Sequence, residues 1–198
     1  MDLSEKVWDN RYINNDIGWD LGEISPPLKA YFDQIEDKNI KILIPGGGNS
    51  YEAEYLFDLG FKYVYVVDLS KTALNNIQKR MPNFPKEQLI LGDFFNVDEK
   101  FDLIIEQTFF CAINPELRKK YVTKMAEVLN GSGKLVGLLF DAPLFKNRPP
   151  FGGSKKEYIN YFNEHFYFKV FEKSYNSIKS RRGRELFINL VKKRATKK

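Results

Sequence analysis

Seven runs along the chain have the apolar density of β-strands: Ile40–Pro45, Lys62–Val67, Glu87–Leu91, Phe101–Glu106, Lys134–Phe140, His165–Lys173 and Glu185–Lys193. The first, second, fourth and fifth are nearly continuous in apolar residues, as parallel strands covered on both faces must be. Between them lie segments with helical periodicity. Strand and helix alternate through residue 140, which predicts right-handed crossovers and a doubly wound parallel sheet. The last two strands are joined only by a loop containing Asn176, Ser177 and Gly183. That is too little chain for a crossover helix, so they are expected to form an antiparallel hairpin at one edge.

Several helix boundaries are also readable. Asn49 and Glu52 have capping-box spacing, and Gly60 supplies a stop. Asn114-Pro115 places a cap before a proline, ahead of Val122, Met125, Ala126 and Leu129, with Gly131 expected to end that helix. Ser154 and Glu157 repeat the capping box before Tyr158, Ile159 and Phe162, and Ser25 caps an early helix with Leu28, Phe32 and Ile35 inward. There is no repeat and no long linker, so residues 1–198 are expected to form a single domain.

Composition narrows the class. A hydrophobic content of 43% and aromatic content of 15% are those of a folded protein. No apolar run approaches the ~20 residues that cross a bilayer, and Met1 to Trp8 is too polar for a secretory signal. Cys111 is the only cysteine, which excludes an intramolecular disulfide and a cysteine-rich zinc site. A cytoplasmic protein without membrane partners and without a metal site is expected, as monomer or weak homodimer. The net charge of +5 gathers at Arg181-Arg182-Gly183-Arg184, Lys192-Lys193-Arg194 and Lys197-Lys198. This reads as solvated chain, and no nucleic-acid partner is expected.

The chemistry starts where Ile42-Leu43-Ile44-Pro45 runs into Gly46-Gly47-Gly48-Asn49. Glycines after a buried strand permit positive φ and let a ligand approach the backbone. Asp68 ends the second strand about twenty positions beyond Gly46, where a carboxylate accepts from ribose hydroxyls. Asp93-Phe94 follows the third strand, offering an acceptor for an adenine amino group and an apolar face for the ring. Three such elements at three successive strand ends describe an adenosine site. A pyrophosphate would favour G-x-G-x-x-G, but Tyr51 stands at the third glycine position and Glu52 in the first helical turn. A carboxylate there repels pyrophosphate and tolerates a sulfonium, so the pattern leans to S-adenosylmethionine.

Trp8-Asp9-x-Arg11-Tyr12, Gly18-Trp19-Asp20-x-Gly22 and Pro27-Leu28 precede the glycine turn, and Phe101 to Ile113 contains Glu106-Gln107-Thr108-Phe109-Phe110-Cys111-Ala112. With Arg181-Arg182-Gly183-Arg184-Glu185, this resembles the thiopurine S-methyltransferase superfamily, and within it the thiol, halide and thiocyanate methyltransferase branch. The resemblance covers roughly residues 8 to 191. It implies a class I, Rossmann-like α/β fold with a seven-stranded, mostly parallel sheet and a C-terminal antiparallel hairpin. It implies S-adenosylmethionine bound by Trp19, Gly46, Gly47, Gly48, Asp68, Leu69, Asp93, Phe94 and Glu106. It also implies that the N-terminal segment, residues 1–36 with the first helix, closes as a lid. The glycine turn departs from the branch's more usual Gly-Cys-Gly. A second departure lies after the fifth strand, where Asn147-Arg148-Pro149-Pro150-Phe151 replaces Gly-Gly-Pro-Pro-Tyr.

The reaction implied is methyl transfer to a small soft nucleophile, foremost a thiol, which needs little help from a general base. No catalytic residue is assigned: His165 reads as structural and Cys111 as packing. Trp8, Phe109, Phe110, Arg148 and Phe151 are the expected substrate-pocket residues, with Arg148 able to guide an anionic acceptor. Two other readings compete: a methyltransferase of nucleic acid or protein, and a non-catalytic sensor of the cofactor or its demethylated product. The first would favour a polar Asn-Pro-Pro-Tyr after the fourth strand, where this chain continues Glu106-Gln107-Thr108-Phe109. The second would show cofactor binding without turnover.

Overall fold

Each of the seven apolar runs becomes a strand in the computed structural model, which describes residues 1–194. The elements are α1 (Glu5–Ile13), α2 (Pro26–Phe32), β1 (Lys41–Pro45), α3 (Tyr51–Asp58), β2 (Tyr63–Asp68), α4 (Lys71–Arg80), β3 (Leu89–Leu91), β4 (Phe101–Gln107), α5 (Arg118–Val128), β5 (Leu129–Phe140), α6 (Lys155–Phe162), β6 (Phe166–Lys173) and β7 (Glu185–Lys192). The strand order in the seven-stranded sheet is β3-β2-β1-β4-β5-β7-β6. β1 with β2, β2 with β3, and β4 with β5 are parallel. β7 is antiparallel to both β5 and β6, so the expected C-terminal hairpin lies at the edge. The basic pair Lys197-Lys198 lies outside the described residues. None of the described helices is long and apolar enough to cross a membrane.

The chain divides into two compact units, Met1–Val97 and Asp98–Lys198. The first is built on Ile42, Leu43 and Ile44 of β1 and Val64, Val66 and Val67 of β2, all buried beneath Ala53 and Leu56 of α3 and Ala73 and Ile77 of α4. α3 stops as expected: Gly60, at φ +85°, donates to the Phe57 carbonyl and Phe61 donates to that of Leu56. Core residues of the second include Leu103, Ile104 and Ile105 of β4, Leu135, Val136 and Leu138 of β5, and Leu186, Ile188 and Leu190 of β7. Tyr121, Val122 and Met125 of α5 are buried as well.

Two boundaries and one cap bond differ from expectation. Asn49 does not cap α3: Ser50 takes the cap position at φ +44° without a side-chain bond. The Asn49 amide instead donates to Asp20 Oδ2 at 2.5 Å, and its oxygen accepts from Asn76 Nδ2 at 3.0 Å. Ser25 holds the cap position of α2 as expected, but its side chain makes no cap bond. Gly131 does not end α5. The helix stops at Val128, and β5 already begins at Leu129, which pairs with Phe101 and is 1% exposed. Burying Leu129 in the ladder outweighs the local glycine signal. By contrast, the Ser154 hydroxyl caps α6 at the Glu157 N–H, and Asn114 caps a single 3-10 turn, Pro115–Leu117, just ahead of α5.

Candidate functional site: the glycine turn and the fourth-strand turn

In the first unit, β1 ends at Pro45 and the chain bends through Gly46 (φ +57°) and Gly48 (φ +56°), a conformation that favours glycine. The Gly46 N–H donates to the Val67 carbonyl at 2.8 Å, pinning the turn to the end of β2. A Cβ on Gly47 would stand 2.6 Å from Val66 Cγ1, and a Cβ on Gly48 would run into the Tyr12 hydroxyl. The turn is therefore shaped for bare backbone.

Asp68, 8% exposed, closes the other side. Its Oδ2 accepts the Gly48 N–H at 2.8 Å and its Oδ1 the Ser70 N–H at 2.7 Å. Burial pushes its pKa up, while these backbone donors pull it back down. Each oxygen has a second lone pair, so the carboxylate keeps acceptor capacity for hydroxyl donors. Close by in the chain, the buried Ser50 Oγ has no hydrogen-bond partner. A polar ligand group would answer that orphan, so the turn fits an adenosyl cofactor.

Asp93 is exposed and caps the 3-10 turn Phe94–Asn96 by accepting the Phe95 N–H at 2.9 Å, while Phe94 is 3% exposed. Leu69 is half-buried between Asp68 and Ser70.

The N-terminal helix adds an aromatic group. Trp8 and Trp19 meet edge-on at 5.7 Å, Tyr12 and Trp19 at 5.8 Å, and Trp19 Nε1 donates to the Tyr12 hydroxyl at 3.4 Å. The Arg11 guanidinium lies 4.5 Å from the Trp19 ring centroid, a cation–π contact. In the sequence, Tyr12 and Asp9 stand out only as letters of the Trp8-Asp9-x-Arg11-Tyr12 motif. Helical spacing was the available signal for Tyr12, since positions 8 and 12 share a face.

In the second unit, β4 ends in a tight turn through Thr108 (φ +60°). Glu106, fully buried, holds it: Oε1 accepts the N–H groups of Phe109 (2.8 Å) and Phe110 (2.9 Å), and the Tyr121 hydroxyl donates to Oε2. Burial raises the Glu106 pKa to about 7 against these donors, and raises that of Tyr121 well above its ordinary value. Phe110 is enclosed by Tyr121, Tyr158 and Phe162, with ring centroids 5.0, 5.3 and 5.8 Å away. Phe109 is half-buried and tilts against Tyr121. The buried Cys111 thiol donates to the Thr108 carbonyl at 3.2 Å, and burial pushes its pKa up to about 12, so it is a poor nucleophile.

Phe151 is 2% exposed, and its N–H donates to the Cys111 carbonyl at 2.7 Å. Arg118, also 2% exposed, donates to the carbonyls of Phe151 (3.4 Å) and Gly152 (2.9 Å) and to Glu157 Oε1 (3.1 Å). It fixes the loop that carries Phe151, a role without a local sequence signal. Arg148 is exposed and stacks 3.8 Å over the Phe145 ring.

Comparison with known proteins fits this geometry. The fold is that of the class I methyltransferases: a Burkholderia thailandensis 1,6-didemethyltoxoflavin-N1-methyltransferase superposes with a TM-score of 0.76 at 15% identity, over 96% of this chain and 87% of that one. The thiopurine S-methyltransferase family profile matches residues 3–196, and the chain belongs to that family. It is an S-adenosylmethionine-dependent methyltransferase. Among its relatives, "Probable thiol methyltransferase 2" of Arabidopsis thaliana is 31% identical over 156 residues, 76% of this chain and 69% of the relative. "Thiocyanate methyltransferase 1" of Brassica oleracea is 27% identical over 154 residues, 75% of this chain and 68% of the relative.

Proposed function

We propose that the enzyme methylates the sulfur of a small thiol. The observation that carries this reading is the state of Glu106. Its carboxylate terminates β4 beside the turn, yet both oxygens are committed to Phe109, Phe110 and Tyr121. Fully buried, it is closed to an acceptor and serves as a brace rather than a base, and an acceptor that ionises readily needs no base. The 31% identity to a protein named as a probable thiol methyltransferase supports the same acceptor class.

In the first unit, Asp68 accepts the ribose hydroxyls, Gly46, Gly47 and Gly48 admit the cofactor to the backbone, and Leu69, Asp93 and Phe94 serve the adenine. Trp8 and Trp19 exclude water and offer aromatic faces to a cation. When bound, S-adenosylmethionine supplies a methyl group carried on a cationic sulfur. In the second unit the half-buried Phe109 gives an apolar acceptor contact, the buried Phe110 and Phe151, held by Glu106 and Arg118, keep their turns in place, and the exposed Arg148 guides an anionic acceptor. Positioning and desolvation, not proton transfer, carry the rate.

The test is an acceptor panel of small thiols, iodide and thiocyanate assayed with one methyl donor. Higher kcat/KM for a thiol is the expected result; preference for iodide or thiocyanate would overturn the thiol reading.

A further inference from the structure

α1 completely buries none of its side chains, so a packed core does not hold it in place. Beside the contacts of Trp8 and Tyr12 with Trp19, a polar contact with residues about sixty positions further along the chain holds it. Asp9 Oδ1 accepts the Ser70 hydroxyl at 2.6 Å and the Thr72 N–H at 2.8 Å. Ser70 is the cap residue of α4, its Oγ accepting the Ala73 N–H at 3.0 Å. One helix N-terminus is therefore capped twice, by its own serine and by a carboxylate from α1. A helix N-terminus favours an anion there, and the Ser70 hydroxyl and Thr72 N–H lower the Asp9 pKa accordingly.

The contact leads directly to the cofactor turn. Ser70 also donates its N–H to Asp68 Oδ1, and Asp68 Oδ2 takes the Gly48 N–H. Asp9, Ser70, Asp68 and Gly48 form one hydrogen-bonded line. One turn of α1 beyond Asp9, the Tyr12 hydroxyl fills the space that a Gly48 side chain would need. With Asp9 engaged, α1 keeps Tyr12 against Gly48 of the glycine turn.

We propose that Asp9 is a positioning residue, a latch that keeps α1 over the glycine turn and sets the rate at which cofactor and demethylated product exchange. This rests on the cofactor reading of Gly48 and Asp68. A latch that closes the turn slows entry as well as exit, which separates it from a residue that merely stabilises the site.

The experiment uses the full chain and S-adenosylhomocysteine. Stopped-flow association and dissociation are measured for wild type, Asp9→Ala and Asp9→Asn, with amide hydrogen exchange of residues 5–13 on the same proteins without ligand. Asp9→Ala should speed both rates about tenfold, the worth of a helix cap with a charged acceptor, and speed exchange by a similar factor. Kd should move by less than about threefold. Asp9→Asn keeps a neutral acceptor and should fall between. Faster dissociation alone, with Kd weakened in proportion, would make Asp9 an ordinary stabilising residue and overturn the latch, as would unchanged exchange and rates. If the wild type binds no S-adenosylhomocysteine, the cofactor reading fails first, and gating fails with it.

Discussion

The hydroxyl of Tyr12 occupies the space that a Cβ on Gly48 would require, so a residue of the N-terminal helix and a residue of the cofactor turn are shaped to each other. Gly48→Ala therefore meets both this hydroxyl and its own φ of +56°. It should lower stability by about 2 kcal/mol, combining left-handed strain with a steric clash. Adding Tyr12→Phe removes the hydroxyl and should recover part of that loss, leaving the backbone strain. Thermal melting of both single variants and the double variant checks this; strictly additive losses would contradict the contact.

Asp68→Ala removes the carboxylate that accepts from Gly48 and Ser70 and is assigned to the ribose hydroxyls. Hydrogen bonds to a charged acceptor contribute about 1.5–3 kcal/mol, so S-adenosylhomocysteine affinity should fall roughly ten- to hundredfold. Calorimetry on a variant whose circular dichroism matches the wild type makes the measurement. Unchanged affinity would remove Asp68 from the ribose.

Burial lifts the Glu106 carboxyl from its ordinary 4.5 to about 7. Between those two values the unfolded chain loses this proton and the folded chain keeps it. Its contribution therefore lowers stability as pH rises from about 4.5 to 7, by an order-of-magnitude 3 kcal/mol, and is flat above. Glu106→Gln preserves an acceptor for Phe109 and Phe110 and can donate to the Tyr121 oxygen. The stability difference between variant and wild type should grow in the variant's favour across that window. A pH-independent difference would contradict the assignment.

Arg118 holds two carbonyls, Phe151 and Gly152, from a nearly water-free position. Arg118→Met keeps the volume but leaves both acceptors and Glu157 without it. Breaking such a buried group should cost about 3 kcal/mol, or roughly 10 °C in Tm. Turnover should also fall because the Phe151 loop loses its anchor. A variant with wild-type Tm and kcat would show that the loop holds itself.

The parts of the site legible in the sequence are those written locally. β1 followed by three glycines, Asp68 at the end of β2 and the β6–β7 hairpin each follow from period, spacing or loop length. What stayed hidden depends on partners far along the chain. Nothing near Asp9 announces Ser70, nothing near Arg118 announces the carbonyls of Phe151 and Gly152, and Glu106 finds Tyr121 only when α5 packs over β4. Asn49 and Gly131 went the other way: both carry strong local signals, but Asn49 is drawn off by Asp20 and Asn76, and Leu129 pulls the chain into β5 before Gly131 can act.

Sulfur methylation is tested most directly by a matched pair of acceptors, a small thiol and the alcohol with the same carbon skeleton, each incubated with methyl-labelled S-adenosylmethionine. The predicted result is label in the thioether and none in the ether, with the rate rising as the thiol ionises. Label in the ether at a comparable rate would contradict the account, as would a protein that binds the cofactor but methylates no thiol.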